Sequence, residues 1–224
     1  MASLVHARGK LRFASVETPR PVGLGLKRAT DILIALTGIF LLAPLLGICF
    51  ATIALTSPGP VLFRHRRIGF NGKPFFCLKF RTMVTDAPQR LQRLLESDPA
   101  AAAEWTSTCK LRHDPRITLI GALLRKSSLD ELPQLFNVLR GEMSIVGPRP
   151  VTEAELDRYS SSINAYLACR PGITGLWQVS GRSSTSYNRR VACDTFYAQN
   201  WSMALDTKIL VVTLPSLLLT DSAY

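Results

Sequence analysis

The sequence predicts an α+β fold, mainly helical, in which a re-entrant membrane helix is followed by a compact cytoplasmic domain with a small β-hairpin. Three observations lead to this prediction. Residues 32–56 contain no charged side chain, basic residues lie on both sides of that segment, and two β-prone runs precede stretches with helical spacing of apolar residues. The uncharged segment exceeds the roughly 20 residues that a membrane-spanning helix needs.

Composition and charge are typical of a protein that meets a membrane surface or a polyanionic ligand. The 224 residues carry a formal net charge of +11 although 47% of them are hydrophobic. A nucleic-acid-binding protein has a similar charge but does not need the apolar segment, so we expect no nucleic-acid partner. The five cysteines form no CxxC pair and are odd in number, which indicates a reducing compartment.

We expect three parts along the chain. Residues 1–26 form a flexible basic arm, because basic residues, proline and glycine follow one another there with little periodicity. Residues 27–57 form the re-entrant membrane helix, which is broken at Pro44. Residues 58–224 form a domain on the cytoplasmic face that ends in an interfacial helix.

The prediction of re-entry depends on Pro44 and on the charges that flank the apolar segment. Pro44 lies near the middle of the segment, where it removes a backbone hydrogen bond and clashes with the preceding turn. Lys27 and Arg28 precede the segment and three arginines within residues 64–67 follow it, so the positive-inside rule places both ends in the cytoplasm. A kinked spanning helix and a buried core helix are the alternatives, since membrane helices tolerate proline.

The elements after the membrane segment are predicted from turn and capping signals. Residues 61–63 and 74–80 are β-prone and are separated by a loop with Asn71-Gly72, which indicates a hairpin. Helices are expected after Asp86, after Asp98-Pro99, after the capping-box pair Thr152 and Glu155, and over residues 187–199. Residues 208–219 are apolar but about half as long as a span requires, so they lie on the bilayer or pack on the domain.

Arginine-rich motifs between residues 79 and 182 indicate a phosphate-binding site. They read KFRTM, RHDPR, RKSSLDELPQ, GPRP and RPGITGLWQVSGR in chain order. Guanidinium groups bind phosphate oxygens in pairs, and turns beside them present backbone N–H groups. Any one of these arginines is more often a solvated surface charge, so the prediction depends on their clustering.

Asp130 and Glu131 are adjacent acids with two interpretations. Ser128 and Glu131 have capping-box spacing, and Pro133 fits the first turn of a helix, so the acids are explained by helix capping alone. Alternatively, one carboxylate attacks a phosphorus centre and the other holds Mg²⁺. The spacing does not decide between them.

These motifs resemble those of the monotopic polyprenol-phosphate phosphoglycosyl transferases, the bacterial sugar transferases that begin exopolysaccharide, capsule and glycan assembly. The resemblance extends from about Lys27 to the C-terminus and includes KFRTM, DPRIT, RKSSLDELPQLFNVLRGEMSIVGPRP and RPGITGLWQVSGR in family order. It indicates the small, exopolysaccharide-type form, because only the basic arm precedes the membrane segment. One departure is Ala43, where many members have serine before the helix-breaking proline.

The resemblance implies a mechanism and roles for individual residues. Asp130 matches the aspartate that attacks the β-phosphate of a UDP-sugar and expels UMP, and Glu131 matches the glutamate associated with Mg²⁺, with Asp130 as a further metal ligand. The acceptor is polyprenyl (undecaprenyl) phosphate. Arg149 matches a phosphate-binding arginine; weaker phosphate or uridine contacts are expected from Arg125, Lys79, Arg81 and Arg170.

The same resemblance implies partners and a location. Membrane lipids and downstream glycosyltransferases are expected partners, and the location is the cytoplasmic face of the bacterial inner membrane. The run NWSMALDTKIL favours UDP-glucose or UDP-galactose as donor. Two other functions are considered: a catalytically inert scaffold for polysaccharide assembly, and a phosphatase that passes the phosphosugar to water. The three histidines, His6, His65 and His113, are expected to have surface or structural roles.

Overall fold

The computed structural model describes residues 21–108, 110–181 and 186–218, so most of the predicted basic arm lies outside the described residues. The helices are α1 (Leu24–Thr56), α2 (Ala87–Ser97), α3 (Pro99–Thr108), α4 (Leu119–Lys126), α5 (Gln134–Arg140), α6 (Glu153–Leu156), α7 (Ile163–Leu167), α8 (Leu176–Val179), α9 (Tyr187–Gln199) and α10 (Met203–Leu218). The strands are β1 (Leu62–Ile68), β2 (Pro74–Phe80), β3 (Ser144–Val146) and β4 (Gly172–Thr174). The predicted mainly helical fold with one small hairpin agrees with this architecture.

Helix α1 contains the apolar segment, and its residues are helical on both sides of Pro44. Its 33 residues correspond to about 50 Å of straight helix, which exceeds the roughly 30 Å hydrocarbon core of a bilayer. Within the described residues it is the helix whose length and composition allow it to cross a membrane. Large apolar side chains point away from the protein, among them Phe40 and Leu55, which are 81% and 87% exposed. Such exposure requires an apolar environment around the helix.

Both halves of α1 pack against the domain that follows. Ala35, in the first half, lies in the main core with Leu135 and Val138 of α5. Cys49 and Ile53, in the second half, lie in a separate cluster with Phe80 of β2 and Leu124 of α4. The helix is therefore attached to the domain on both sides of Pro44.

A buried ion-pair network fixes the start of α1. Lys27 Nζ lies 2.7 Å from Asp206 Oδ2 of α10, and the hydroxyl of Tyr197 donates to Asp206 Oδ1 at 2.7 Å. One turn further along α1, Asp31 Oδ1 accepts hydrogen bonds from Ser144 Oγ and Ile145 N, both at 3.0 Å. Because the charged atoms are enclosed, removing Asp206 would leave the Lys27 ammonium with Asp31, whose Oδ1 is 3.8 Å away, as its acidic partner.

Two small sheets complete the fold. In the hairpin, β1 pairs antiparallel with β2 from Leu62↔Phe80 to Ile68↔Pro74, and Asn71 and Gly72 in the connection have φ of 55° and 72°. The predicted hairpin is confirmed, although its first strand extends five residues beyond the predicted apolar run, four of them charged or polar. The second sheet pairs β3 and β4 in parallel and was not predicted, because three-residue strands have no measurable periodicity.

Most predicted helices form at the expected places. Helix α3 begins at Pro99, and Asp98 Oδ1 accepts hydrogen bonds from the backbone N–H groups of Ala100 and Ala101. The Thr152 and Glu155 capping box is present at α6, and α9 has the predicted bounds. Helix α10 covers the C-terminal apolar stretch up to Leu218. Its interfacial position stays a prediction.

We predict that Asp206→Ala lowers the free energy of unfolding by about 3–5 kcal/mol, because it removes the nearer carboxylate partner of the buried Lys27 ammonium and the acceptor of the Tyr197 hydroxyl. Denaturant unfolding in detergent micelles measures this loss. Asp86→Ala is the control, since Asp86 pairs with Arg90 at the exposed surface and its removal should leave the unfolding midpoint unchanged. Equal effects of the two substitutions would contradict the role of the buried network.

Candidate active site

The two acids lie in a tight turn between α4 and α5. Helix α4 ends at Lys126, the φ of 56° at Ser128 is in the left-handed region, and a 3₁₀ turn over Leu129–Glu131 leads into α5. The predicted capping box at Ser128 is therefore wrong, because an N-cap residue needs an extended backbone and Ser128 makes no side-chain cap. In a 3₁₀ turn consecutive side chains point about 120° apart, so the neighbouring carboxyl groups face different surroundings.

Glu131 faces a cavity, partly open to solvent, that is rich in cations. Its charged lining residues are Arg67, Lys79, Glu131 and Arg149. The neutral lining residues are Cys77, Gln134, Pro150, Gly172, Ile173 and Gln178. Three positive side chains meet one negative side chain, so the cavity carries the charge that a phosphate-bearing ligand requires.

Lys79 and Glu131 form the ion pair at the centre of the cavity wall. Lys79 Nζ lies 2.5 Å from Glu131 Oε1, and each side chain is about one quarter exposed. Burial alone would raise the pKa of Glu131, but the charges of Lys79 and then Arg149 outweigh it and hold that pKa below its usual value. Glu131 therefore stays ionised at neutral pH.

Asp130 differs from its neighbour in electrostatics. Burial raises the pKa of Asp130 to about 6; Lys79 opposes the shift, the charge of Glu131 adds to it, and Arg125 opposes it. A carboxylate in such surroundings is poorly solvated and is still mostly ionised near neutral pH. Both properties suit a nucleophile that has to attack a phosphorus atom.

The other predicted site residues fall into two groups. Arg149 lines the cavity together with Lys79, and Arg125 approaches the acids from α4, with its Nε donating to Thr82 Oγ1 at 2.8 Å. Arg81 and Arg170 do not line this cavity. Arg81 donates to the carbonyls of Ser57 and Pro58 at the end of α1, and Arg170 Nε donates to the carbonyl of Gly141 at 3.0 Å.

Two cavity residues, Arg67 and Cys77, lie outside the motifs found in the sequence. Arg67 is detectable in principle from the hairpin register. Because Phe63 pairs with Lys79 and His65 with Cys77, the odd-numbered residues of β1 share the face that carries Lys79. The three arginines of β1 are thereby separated, since Arg64 and Arg66 lie on the other face.

The carboxylates of Asp130 and Glu131 are the oxygen ligands in this region that suit Mg²⁺. The described residues contain no group of three or more His, Cys, Asp or Glu side chains arranged to hold a metal ion. Mg²⁺ commonly binds through one or two carboxylates and completes its shell with water and substrate phosphate oxygens. The donor set therefore fits an ion shared with a phosphate-bearing substrate.

Comparison with known proteins identifies the family. The model for the family described as bacterial sugar transferase matches residues 22–220. The chain belongs to this family. The resemblance found in the motifs is confirmed, and the transferase is of the exopolysaccharide type.

Three relatives illustrate the similarity of this sugar transferase to characterised sequences. It is 51% identical over 205 residues to the exopolysaccharide production protein ExoY of Sinorhizobium fredii, covering 92% of this chain and 91% of that protein. It is 46% identical over 206 residues to a UDP-glucose:undecaprenyl-phosphate glucose-1-phosphate transferase of Caulobacter vibrioides, covering 88% of this chain and 72% of the relative. Against the undecaprenyl-phosphate galactose phosphotransferase of Salmonella typhimurium, the identity is 46% over 199 residues, which cover 89% of this chain and 42% of the relative.

We predict that Gly172→Ala removes most of the activity of this sugar transferase. A Cβ atom at Gly172 would lie 2.1 Å from the backbone nitrogen of Gly147 and 2.3 Å from the carbonyl oxygen of Thr174, so the cavity wall has to move. Gly47→Ala is the control, because its Cβ meets nothing within 4 Å and alanine favours the helix. Transfer assays and unfolding curves should show loss in the first variant and wild-type behaviour in the second; an active, stable Gly172→Ala protein would contradict the prediction.

Proposed function

We propose that this sugar transferase moves a sugar-1-phosphate from a UDP-sugar to undecaprenyl phosphate, releases UMP, and so performs the first membrane step of exopolysaccharide synthesis. The observation that carries the proposal is Glu131 in the wall of a cationic cavity, with Asp130 next to it in the same turn, in a domain attached to a membrane-length helix. The names of the relatives support the substrates: two act on undecaprenyl phosphate, and one of them takes UDP-glucose.

In the first step, the carboxylate of Asp130 attacks the β-phosphorus of the UDP-sugar. A bond forms between a carboxylate oxygen and the phosphorus, the bond to the bridging oxygen breaks, and the electron pair leaves with UMP. The product is an acyl phosphate that links the sugar phosphate to Asp130. The poorly solvated state of this carboxylate, which also raises its pKa, supports the assignment because little solvation has to be removed before attack.

The cations of the cavity offset the charge of the diphosphate. Lys79 is ion-paired with Glu131, and its charge also lowers the pKa of Asp130. The same charge therefore acts on a β-phosphate held at Asp130. Arg149 lies on the cavity side of the pair and offers a guanidinium group to the same ligand. Fixed cations in a partly enclosed site stabilise developing charge more than they would in water.

Glu131, with Asp130 as a second ligand, would hold Mg²⁺ together with the diphosphate oxygens. The ion supplies further neutralisation of the diphosphate charge and of the charge that collects on the leaving UMP. Glu131 is suited to this role because its pKa is held below the usual value, so it is ionised wherever the enzyme works. Lys79, on β2, donates to the carboxylate of Glu131 and orients it.

In the second step, an oxygen of undecaprenyl phosphate attacks the phosphorus of the acyl phosphate. The new diphosphate bond forms, the bond to Asp130 breaks, and the carboxylate is regenerated. A phosphate monoester is ionised at neutral pH, so the acceptor needs positive charge more than it needs a base. Arg125, which approaches Asp130 from α4, is in place to supply it.

We further propose that α1 enters the cytoplasmic leaflet of the inner membrane and returns to the same face. Two contacts support this placement: both halves of α1 pack on one domain, and Arg81 binds the carbonyls at the end of α1 only two residues after Lys79. The end of the membrane segment is thus next to the candidate site. The acceptor phosphate can then reach Asp130 while its chain stays in the bilayer.

The covalent step predicts a mass adduct on Asp130. Purified enzyme incubated with Mg²⁺ and a series of UDP-sugars, without lipid acceptor, should gain the mass of one hexose phosphate in intact-protein mass spectrometry. Asp130→Asn should gain none, because the amide is not a nucleophile of comparable strength. The donor that produces the adduct identifies the sugar.

Two outcomes would reject the proposal in different ways. No adduct with any donor, together with no UMP release when undecaprenyl phosphate is present, would favour the inert scaffold. Continuous UMP release without any lipid acceptor would favour the phosphatase. Asp86→Asn serves as a control, because its carboxylate lies at the exposed start of α2.

The raised pKa of Asp130 predicts the pH dependence of the first step. Only the ionised carboxylate attacks, so kcat/KM for the UDP-sugar should rise as pH increases through about 6 and level off above it. Arg125→Gln removes a charge that lowers this pKa and should move the rise to higher pH. The assignment would be contradicted if the midpoint of the pH profile were unchanged in Arg125→Gln, or if activity rose as the pH was lowered below 6.

A further inference from the structure

Arg67 is a cation of the cavity that no sequence motif singled out. It lies on β1, on the same face of the hairpin as Lys79, and its side chain is 16% exposed. Its neighbours Arg64 and Arg66 lie on the opposite face and are exposed. The guanidinium group of Arg67 thus points into the protein, where an unused charge would be costly.

Two acceptors hold this guanidinium group in place. Arg67 Nη1 donates to Glu155 Oε2 at 3.1 Å, and Nη2 lies 3.1 Å from His65 Nδ1. A guanidinium group can only donate, so His65 Nδ1 accepts and the imidazole is neutral, with its proton on Nε2. Burial and the charges of Arg67 and Lys79 lower the pKa of His65, which agrees with a neutral ring.

Glu155 is itself fixed, so the support of Arg67 is rigid. Glu155 Oε2 accepts from the backbone N–H and the hydroxyl of Thr152 at 2.8 and 2.9 Å in the capping box of α6. Its Oε1 lies 3.4 Å from Arg190 Nη1, and Arg190 Nη2 donates to the carbonyl of Arg149 at 3.3 Å. One carboxylate therefore connects the side chain of Arg67 to the backbone of Arg149.

The charges of the cavity lining favour a diphosphate. Arg67, Lys79 and Arg149 are positive and Glu131 is negative, which leaves an excess of two positive charges on the lining. The diphosphate of a nucleotide sugar carries two negative charges. Glu155 does not change this balance, because it lies between Arg67 and Arg190 and is outside the lining.

The positions of the cations indicate which phosphate of the diphosphate each one would contact. Arg67 and Arg149 line the cavity together with Glu131, whereas Asp130 is not among the lining residues. The phosphorus that is attacked has to lie at Asp130. Arg67 and Arg149 are then on the side of the leaving nucleotide.

We propose that Arg67, oriented by Glu155 and neutral His65, binds the phosphate of the leaving nucleotide together with Arg149. This inference rests on the proposed sugar-phosphate transfer. When the bond to the bridging oxygen breaks, the electron pair and the added charge stay on the nucleotide monophosphate, and the guanidinium group of Arg67 receives that charge. No atom of Arg67 changes its covalent state.

UMP is the probe, and its binding to the full chain in lipid nanodiscs is measured by calorimetry, with and without catalytic turnover. Arg67→Gln should weaken UMP binding by about tenfold or more, since one charged hydrogen bond is lost. It should also lower kcat/KM for the UDP-sugar and leave KM for the lipid acceptor unchanged. Arg66→Gln is the matched control: it removes the same charge from the exposed face of the same strand and should bind UMP as the wild type does.

A second pair of variants tests the support of Arg67 and does not remove the charge. His65→Gln keeps a neutral acceptor and should keep UMP affinity within about threefold, whereas His65→Leu removes the acceptor and should weaken it more. If Arg67→Gln does not fold, the two His65 variants still test the inference. UMP binding of Arg67→Gln equal to that of Arg66→Gln, or equal effects of the two His65 variants, would overturn the inference.

These outcomes separate the inference from the proposed function. A wild-type enzyme that transfers the sugar phosphate but shows no difference between the Arg67 and Arg66 variants rejects only the role of Arg67. A wild-type chain that neither releases UMP from any UDP-sugar nor binds UMP rejects both. If UMP binding depends on Arg67 but the wild-type enzyme shows no turnover, the nucleotide-binding site is supported and the transfer reaction is rejected.

Discussion

The side-chain amide of Asn137 joins the two structural parts that build the candidate site. Its Oδ1 accepts from the backbone N–H of Leu78 at 3.0 Å, and its Nδ2 donates to the carbonyl of Phe76 at 2.8 Å. Asn137 is fully buried on α5, so strand β2 is fixed to the helix that follows the acid turn. Together with the packing of Cys77 on Leu135 and Val138, this contact holds Lys79 on β2 at a fixed distance from Glu131 before α5.

Strand β2 also connects the candidate site to the membrane segment, because alternate side chains of a strand point to the same face. Lys79 and Arg81 lie on the same face of the chain, two residues apart, and bind Glu131 and the end of α1 respectively. The contact with the end of α1 and the contact with the acid turn are therefore made two residues apart on one segment of the chain. Arg81, expected to contact phosphate, instead satisfies carbonyl groups that the end of a helix leaves without partners. Its contribution to the site is positional.

The sequence predicted the parts of this protein that depend on local signals. The apolar segment, the Asn71-Gly72 hairpin, the Asp98 cap and the Thr152 capping box are each defined within a few residues, and each is present. The Ser128 prediction failed because the same residue types that cap a helix also end one, and only the backbone conformation distinguishes the two. Asn137, Arg67 and the β3–β4 pair depend on contacts between distant segments, which no local pattern contains.

The electrostatics of the site impose a cost that substrate binding can relieve. Three cations around one small cavity repel one another, and Glu131, the acid of the lining, neutralises only part of their charge. The remaining positive charge destabilises the folded protein when no ligand is bound. A dianionic ligand offsets this repulsion, and a ligand that binds only the folded protein also stabilises it. The ordered partners of Arg67 and Arg149 mean that little of the binding energy is spent on arranging the cations. A nucleotide therefore meets a site whose geometry is already set, and the affinity it gains is available for the transfer step.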